Sequence, residues 1–422
     1  MPKLLNTESK YRFVPPHDGG LWPRVLGRAI PLYLWWKFAI SQIEVRGAER
    51  VSELHRAGHG VLITPNHCRM SDALVLQSLA VRARQPFYIM ASAHLFRGSR
   101  SLAWLIRRLG AFSVYREGID RQAITKATEI LAAGTRPLVI FPEGALSQSN
   151  EHLNPLQEGV SFIARSAAAK LEAANTSGRR VFTLPVAIRY VYQGDLEATA
   201  GAILTSIEQR LSWRPLHGRC LVERIYRVGH GLLALKEQEY LGRTHNGTIE
   251  ERTSRLIDSI LCPLEVEWLK AAKEGSAITR VRDLRRAILP AMIDGELPQA
   301  EVDRRWRQLD DASFAQSCGL YPPQYVASRP TADRVLETVE KFHEHLAGDE
   351  TPHGPMRAII DVGEPIEVSS KRDRAAKVDP LLQAIEQGLN GLLQRTAGEA
   401  REYKRAEEVR GSVNGQSSIA NG

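Results

Sequence analysis

The stretch Gly60-Val61-Leu62-Ile63-Thr64-Pro65-Asn66-His67-Cys68-Arg69-Met70-Ser71-Asp72 decides the fold. Its first part is a nearly continuous apolar run closed by a proline, as expected of a strand buried on both faces. Ser71–Ala80 then has the pattern of a helix, with Ser71 or Asp72 at its N-cap. A polar segment joining such a strand to such a helix puts His67 at the strand's C-terminal end and Asp72 in the helix's first turn.

The alternation continues outward. Ile43–Gly47 reads as a strand before this unit, and Phe87–Met90, Phe112–Tyr115, Pro137–Phe141 and Val181–Tyr190 as strands after it. Helical stretches separate them at Ser101–Leu109, Arg121–Ala133 and Gly159–Ala174, two of them stopped by Gly110 and Gly134. Strands alternating with helices of this length predict an α/β layer structure, a mixed sheet flanked by helices. From about Gln193 to Gly354 helices dominate, among them Leu196–Leu211, Glu250–Lys273 (kinked or broken at Pro263) and Ala332–Leu346. One strand, Arg357–Val368, and one helix, Pro380–Thr396, follow. That helix gathers Leu381, Leu382, Ile385, Leu389, Leu392 and Leu393 on one face. The expected organisation is an N-terminal region 1–42, a core 43–192, a helical insertion 193–354, a return to the core at 355–398 and a disordered tail 399–422. No internal repeat is evident.

A chain of 422 residues, 43% hydrophobic and 25% charged, is long enough to bury a large core and ordinary enough to exclude wholesale disorder. Cys68, Cys220, Cys262 and Cys318 lie far apart without metal-ligand spacing, so free thiols are expected and no metal. The net charge of +8 favours anionic partners. The cations are spread out and no zinc-finger or RNP-type signature occurs, which sets nucleic acid aside. The stretch Leu21–Ile40 carries Trp22, Tyr33, Trp35 and Trp36 beside Arg24, Arg28 and Lys37. It is too interrupted to span a bilayer. It suits either an interfacial helix with headgroup-level aromatics or a buried helix packed on the domain.

His67 and Asp72 carry the chemistry. A carboxylate folded back onto one imidazole nitrogen fixes the tautomer and leaves the other nitrogen to take a proton from a hydroxyl. Strand ends in α/β sheets are where such sites collect.

At this point the sequence resembles the glycerolipid acyltransferases, which include the 1-acylglycerol-3-phosphate acyltransferases. Asn66, His67 and Asp72 fit the N-H-x4-D motif, and Gly110 with Arg116 fits a Gly-to-Arg motif. Phe141-Pro142-Glu143-Gly144 is an intact F-P-E-G, and Leu184-Pro185-Val186 fits an apolar strand with a central proline. Each is weak singly; the four in order are specific. The resemblance covers Ile43–Tyr190 and the strand near Val362. It implies a direct transfer from an acyl thioester, acyl-CoA or acyl-carrier protein (acyl-ACP), with no bound cofactor, to a lysophospholipid-like hydroxyl, in phospholipid synthesis. His67 would be the general base, oriented by Asp72. Arg116 would hold an anionic headgroup, and Asn66, Arg69, Gly110, Phe141, Pro142, Glu143, Gly144 and Pro185 would shape the substrate site. The implied partners are the acyl donor, a lysolipid and the cytoplasmic face of a membrane, on which the protein sits peripherally.

Each residue also has a plainer reading. Arg116 suits a solvated strand end, Phe141–Gly144 a turn, and Pro185 an edge proline. Cys68 reads as a bystander, and His152, His245 and His353 as surface residues. The chain departs from the family after Gly144, with Ala145-Leu146-Ser147 in place of Thr-Arg-Ser, and with Gln157-Glu158-Gly159 where a lysine commonly precedes the glycine. Two headgroup cations are thereby missing, with Arg69 or Arg165 as replacements. The competing function is a lipid-binding scaffold without turnover. A serine hydrolase is disfavoured because no G-x-S-x-G elbow occurs, and ATP-dependent activation because no P-loop occurs.

Overall fold

The computed structural model describes residues 11–97, 99–115, 120–176, 178–293, 297–320, 322–348, 351–373, 375–376 and 378–404. They form two compact units, one of Lys3–Gln193 with His353–Glu399 and another of Gly194–Pro352 with the segment from Ala400.

Along the chain the first unit begins with α1 (Leu21–Phe38), β1 (Ile40–Arg46), α2 (Ala48–Arg56), β2 (Gly60–Pro65), α3 (Asp72–Arg82) and β3 (Tyr88–Ser92). It continues through α4 (Arg100–Arg108), β4 (Ala111–Val114), α5 (Arg121–Ala133), β5 (Leu138–Val139), α6 (Glu158–Ala173) and β6 (Val181–Tyr192). The second unit holds α7 (Leu196–Arg210), α8 (Leu221–Leu241), α9 (Ile249–Leu269), α10 (Ala277–Ile293), α11 (Gln299–Gly319), α12 (Tyr325–Ser328) and α13 (Ala332–Ala347). β7 (Met356–Val362), β8 (Ile366–Glu367) and α14 (Pro380–Ala397) complete the first.

The sheet runs β1-β7-β6-β2-β5-β3-β4, with β8 also on β6. β6, β2, β5, β3 and β4 are mutually parallel, whereas β7 and β8 run against β6. Every residue of β2 is buried, as its apolar run requires. The C-terminal ends of β2, β5, β3 and β4 therefore share one edge, and His67 emerges there. All six predicted apolar residues of α14 are buried. Gly388 of that helix allows close approach to β6, since a Cβ there would stand 2.7 Å from Cγ of Pro185. The single strand expected at Arg357–Val368 is broken into β7 and β8. Gly363 interrupts it by donating its N–H to the Pro185 carbonyl (2.8 Å).

In α1, Pro23, Gly27, Ile30 and Leu34 are the buried seam. Leu21, Val25, Leu32, Tyr33, Trp35 and Trp36 are exposed, Trp36 by 73%. Its aromatic face is thus on the surface rather than in the core. No helix among the described residues is long and apolar enough to cross a membrane.

The second unit contains an internal repeat that the sequence reading missed. Arg224, Arg252 and Arg280 follow at 28-residue intervals, each near the start of a helix. Each makes a two-pronged ion pair with a fully buried glutamate near the end of the preceding helix: Glu208, Glu237 and Glu265 respectively. The same glutamates accept the N–H of the residue eight places on, namely Leu216, His245 and Lys273. A glycine stands two residues later in each loop, at Gly218, Gly247 and Gly275. Apolar positions recur with them, at Val228, Leu256 and Leu284 and at Leu233, Leu261 and Leu289, but the residues between differ from copy to copy. α9 also continues through Pro263 as one helix, so of the kink or break expected there the break does not occur. Buried Leu256, Ile260, Leu261 and Leu264 hold both sides of it in place, and packing outweighs the roughly 3 kcal/mol proline penalty. The tail expected to be disordered from residue 399 is ordered as far as 404. Glu399 pairs with Arg46 and Arg357, and the buried Tyr403 donates to Glu197 (2.7 Å).

Candidate active site

His67 and Asp72 meet as their spacing predicts. Nδ1 of His67 lies 2.8 Å from Oδ2 of Asp72, and the Asp72 side chain is fully buried. A carboxylate in that position accepts a hydrogen bond from Nδ1–H, so the lone pair sits on Nε2. His67 has no other side-chain hydrogen bond among the described residues, and 14% of its side chain reaches solvent. The Phe141 ring stacks on the imidazole at 4.0 Å between centroids and 27° between planes. This contact limits imidazole rotation.

Asp72 is ringed by donors. Its Oδ2 also accepts the Arg69 N–H (3.0 Å), and its Oδ1 accepts the Tyr190 hydroxyl (2.6 Å). That hydroxyl also lies 2.9 Å from Ser71 Oγ. Such a set of donors offsets the cost of a buried carboxylate. Burial and the adjoining Asp72 charge push the Tyr190 phenol far above its ordinary value, so it stays a donor. Tyr190 escaped the sequence reading because it lies 118 residues from Asp72 and only the β2–β6 pairing joins them.

The backbone of His67 is clamped from both sides by the loop after β5. Its N–H donates to Glu143 Oε1 (2.7 Å), and its carbonyl accepts from the N–H (2.7 Å) and hydroxyl (3.1 Å) of Ser147. Glu143 Oε2 takes the Asn154 N–H (2.9 Å). Glu143 is thus a fully buried strut and does not line an acceptor site as the resemblance implied. Burial pushes its carboxyl up to about 8, against the pull of the two backbone N–H donors. Pro142 is buried and its carbonyl accepts from Gln157 (2.8 Å), while Gly144 turns the chain at φ +68°.

Other predicted substrate contacts prove structural. Asn66 is buried, and its amide exchanges two hydrogen bonds with the backbone of Ile188 (2.7 and 3.0 Å). Asn150 does the same for Tyr190 (2.8 and 2.7 Å). These amides continue the β6 ladder past the end of β2 and satisfy backbone groups that would otherwise be orphaned. Gly110, at φ +97°, sits before β4 at the edge opposite His67; a Cβ there would lie 2.3 Å from the Phe87 carbonyl. It serves packing, not substrate. Pro185 is paired on an interior strand, not an edge, with Thr64 Oγ1 donating to the neighbouring Leu184 carbonyl. Arg116 lies outside the described residues. Arg165 is committed elsewhere, to Asp379 (2.6 Å) and two carbonyls, so it is no substitute headgroup cation. Arg69 remains beside the site, its guanidinium 5.4 Å from the Tyr190 ring centroid. Cys68 is buried with its thiol 3.8 Å from Asp72 Oδ1, and His152, His245 and His353, expected on the surface, are half-buried.

Residues 42–189 match the family model described as Acyltransferase, a span running from β1 into β6 and holding His67, Asp72 and the Phe141–Gly144 turn. No curated protein matches the chain.

Proposed function

We propose that the segment 42–189, which belongs to the Acyltransferase family and so to acyl-transferring enzymes, works as a lipid O-acyltransferase. It takes a fatty acyl group from a thioester and places it on the hydroxyl of a lysophospholipid-like acceptor, a step of phospholipid synthesis. The observation that carries this is the buried Asp72 on Nδ1 of a His67 whose side chain is 14% exposed, with Nε2 unpartnered among the described residues. Nε2 removes the acceptor's hydroxyl proton as its oxygen attacks the thioester carbonyl. The tetrahedral intermediate collapses with cleavage of the C–S bond, and the imidazolium returns the proton to the leaving thiolate. Asp72 stabilises the transient imidazolium. Arg69, beside His67, and Arg116, by its place in the motif, supply cations for an anionic acceptor headgroup. No metal or bound cofactor takes part in this scheme.

The exposed Leu21, Val25, Leu32, Tyr33, Trp35 and Trp36 of α1, interleaved with Arg24, Arg28 and Lys37, suit a helix lying at the headgroup level of the cytoplasmic leaflet. Lipid acceptors would reach His67 from that surface.

The test is thiol release from palmitoyl-CoA and from acyl-ACP, with a panel of lysolipids, by wild type and His67→Ala. Release requiring both acceptor and His67 is expected. No release from either donor would leave a lipid-binding scaffold, and release unchanged in His67→Ala would refute the mechanism.

A further inference from the structure

Within the first unit, away from the His67 dyad, a groove of about 830 Å³ lies between α2 and the end of α3. Val45, Ala48, Val81 and Ala83 give it an apolar lining, and Arg56, Arg82 and Arg84 bring three cations against the single anion Glu49. Some arginines of this unit are engaged by carboxylates, as Arg46, Arg165, Arg189 and Arg357 are, and others, such as Arg107 and Arg179, donate to backbone carbonyls. Arg82 and Arg84 meet no carboxylate among the described residues, and Arg56 donates only to the Ser52 carbonyl of its own helix. Arg84 also stands in a left-handed conformation, φ +54°, just past the end of α3. Glycine is the usual occupant there. A long cation stands at a backbone position that disfavours it, and it lines a groove.

The helix that ends at this groove begins at the dyad. α3 carries Asp72 as its first residue and Arg82 as its last, about 15 Å apart at 1.5 Å per residue. An extended pantetheine arm spans such a distance. We propose that the groove binds the adenosine 3′,5′-bisphosphate end of coenzyme A, so that the donor lies along α3 with its thioester at His67. The arginines meet the phosphates, and the apolar lining takes the adenine face. A concave site with an apolar floor suits a nucleotide better than the helix surface of an acidic carrier protein. This assignment rests on the proposed acyl transfer, and names its donor as acyl-CoA.

The experiment compares three donors carrying one acyl chain: the CoA thioester, the N-acetylcysteamine thioester, which lacks the nucleotide, and acyl-ACP. Arg82→Glu/Arg84→Glu in the full chain should raise KM for the CoA thioester at least 10-fold with kcat unchanged, and leave KM for the N-acetylcysteamine thioester as it was. Arg84→Gly removes the charge while relieving the backbone. It should weaken CoA binding several-fold while raising Tm, which separates binding from misfolding. Calorimetric titration with adenosine 3′,5′-bisphosphate, which needs no turnover, should show binding by wild type and by His67→Ala, and weaker binding by Arg84→Gly. Equal effects on the two small thioesters, a loss confined to acyl-ACP, or no binding of the bisphosphate would overturn the assignment. Transfer from every donor with the groove variants unaltered would sink the groove and spare the enzyme. Bisphosphate binding without any transfer would do the reverse.

Discussion

Tyr190→Phe isolates the support beneath the dyad. The substitution leaves the buried ring and removes one oxygen, and with it a 2.6 Å hydrogen bond to Asp72 and a 2.9 Å contact with Ser71. A hydrogen bond to a buried charge contributes about 1.5–3 kcal/mol and one between neutral groups about 1 kcal/mol, so a loss of about 3 kcal/mol is expected. For a domain of this size that lowers Tm by roughly 6–12 °C. Activity should respond far less. Oδ2, the oxygen that holds His67, keeps both of its own partners, the imidazole and the Arg69 N–H. A fall in kcat of about 10-fold or less follows, against about 10²–10⁴ for Asp72→Asn, which removes the charge that stabilises the imidazolium. Thermal unfolding and thiol release, measured on the two variants side by side, read both quantities. A Tyr190→Phe protein that melts like wild type yet is as inactive as Asp72→Asn would show that the phenol acts in catalysis rather than beneath it.

Glu143 should leave a mark on stability against pH. Its folded value, about 8, lies above the ordinary value of 4.5, so between these limits the folded state holds a proton that the unfolded state has lost. Stability therefore falls as pH rises through that window, by up to about 5 kcal/mol from this group, and is unaffected by it below 4.5. Urea midpoints of wild type and Glu143→Gln from pH 5 to about 8 should diverge accordingly, and parallel curves would refute the assignment. Arg252→Met strands the fully buried Glu237 and should cost about 3–5 kcal/mol, whereas Arg219→Met, at a solvent-exposed pair, should cost under about 1 kcal/mol in the same denaturation assay. Trp35→Glu/Trp36→Glu alters exposed side chains only, so Tm should hold while co-sedimentation with anionic vesicles drops at least about 10-fold; sedimentation equal to wild type would remove α1 from the membrane surface.

The layered α/β architecture was legible because each of its signals is local. The Gly60–Pro65 strand, the stop at Gly134 and the leucine face of α14 are properties of a few consecutive residues. The His67–Asp72 contact was legible for the same reason, being five residues long. What the dyad rests on was not. Tyr190, Ser147 and Asn154 reach it through strand register and loop course, which no local pattern encodes. Motif membership also misassigned roles. Asn66, Glu143 and Gly110 suit a motif because the backbone around the dyad or the strand edge needs them, and their side chains are spent on that task. In the second unit the 28-residue period joins buried charges to a few apolar positions, and it exceeds the three- to four-residue spacing by which helices are read.

The repeated Glu–Arg device of the second unit has a polarity. The glutamate must both neutralise the arginine and receive a loop N–H, so the two residues are not interchangeable. Exchanging Glu237 and Arg252 would conserve charge yet set a guanidinium against the His245 N–H. The device can therefore be copied along a chain but not inverted. Short loops make successive helices antiparallel, so one additional copy delivers the chain at the opposite end of the array. β6 and β7 pair from Tyr192 to Met356 and require both ends of the excursion at one place. Growth or loss of this unit over evolutionary time is then a matter of parity, with whole repeats exchanged two at a time.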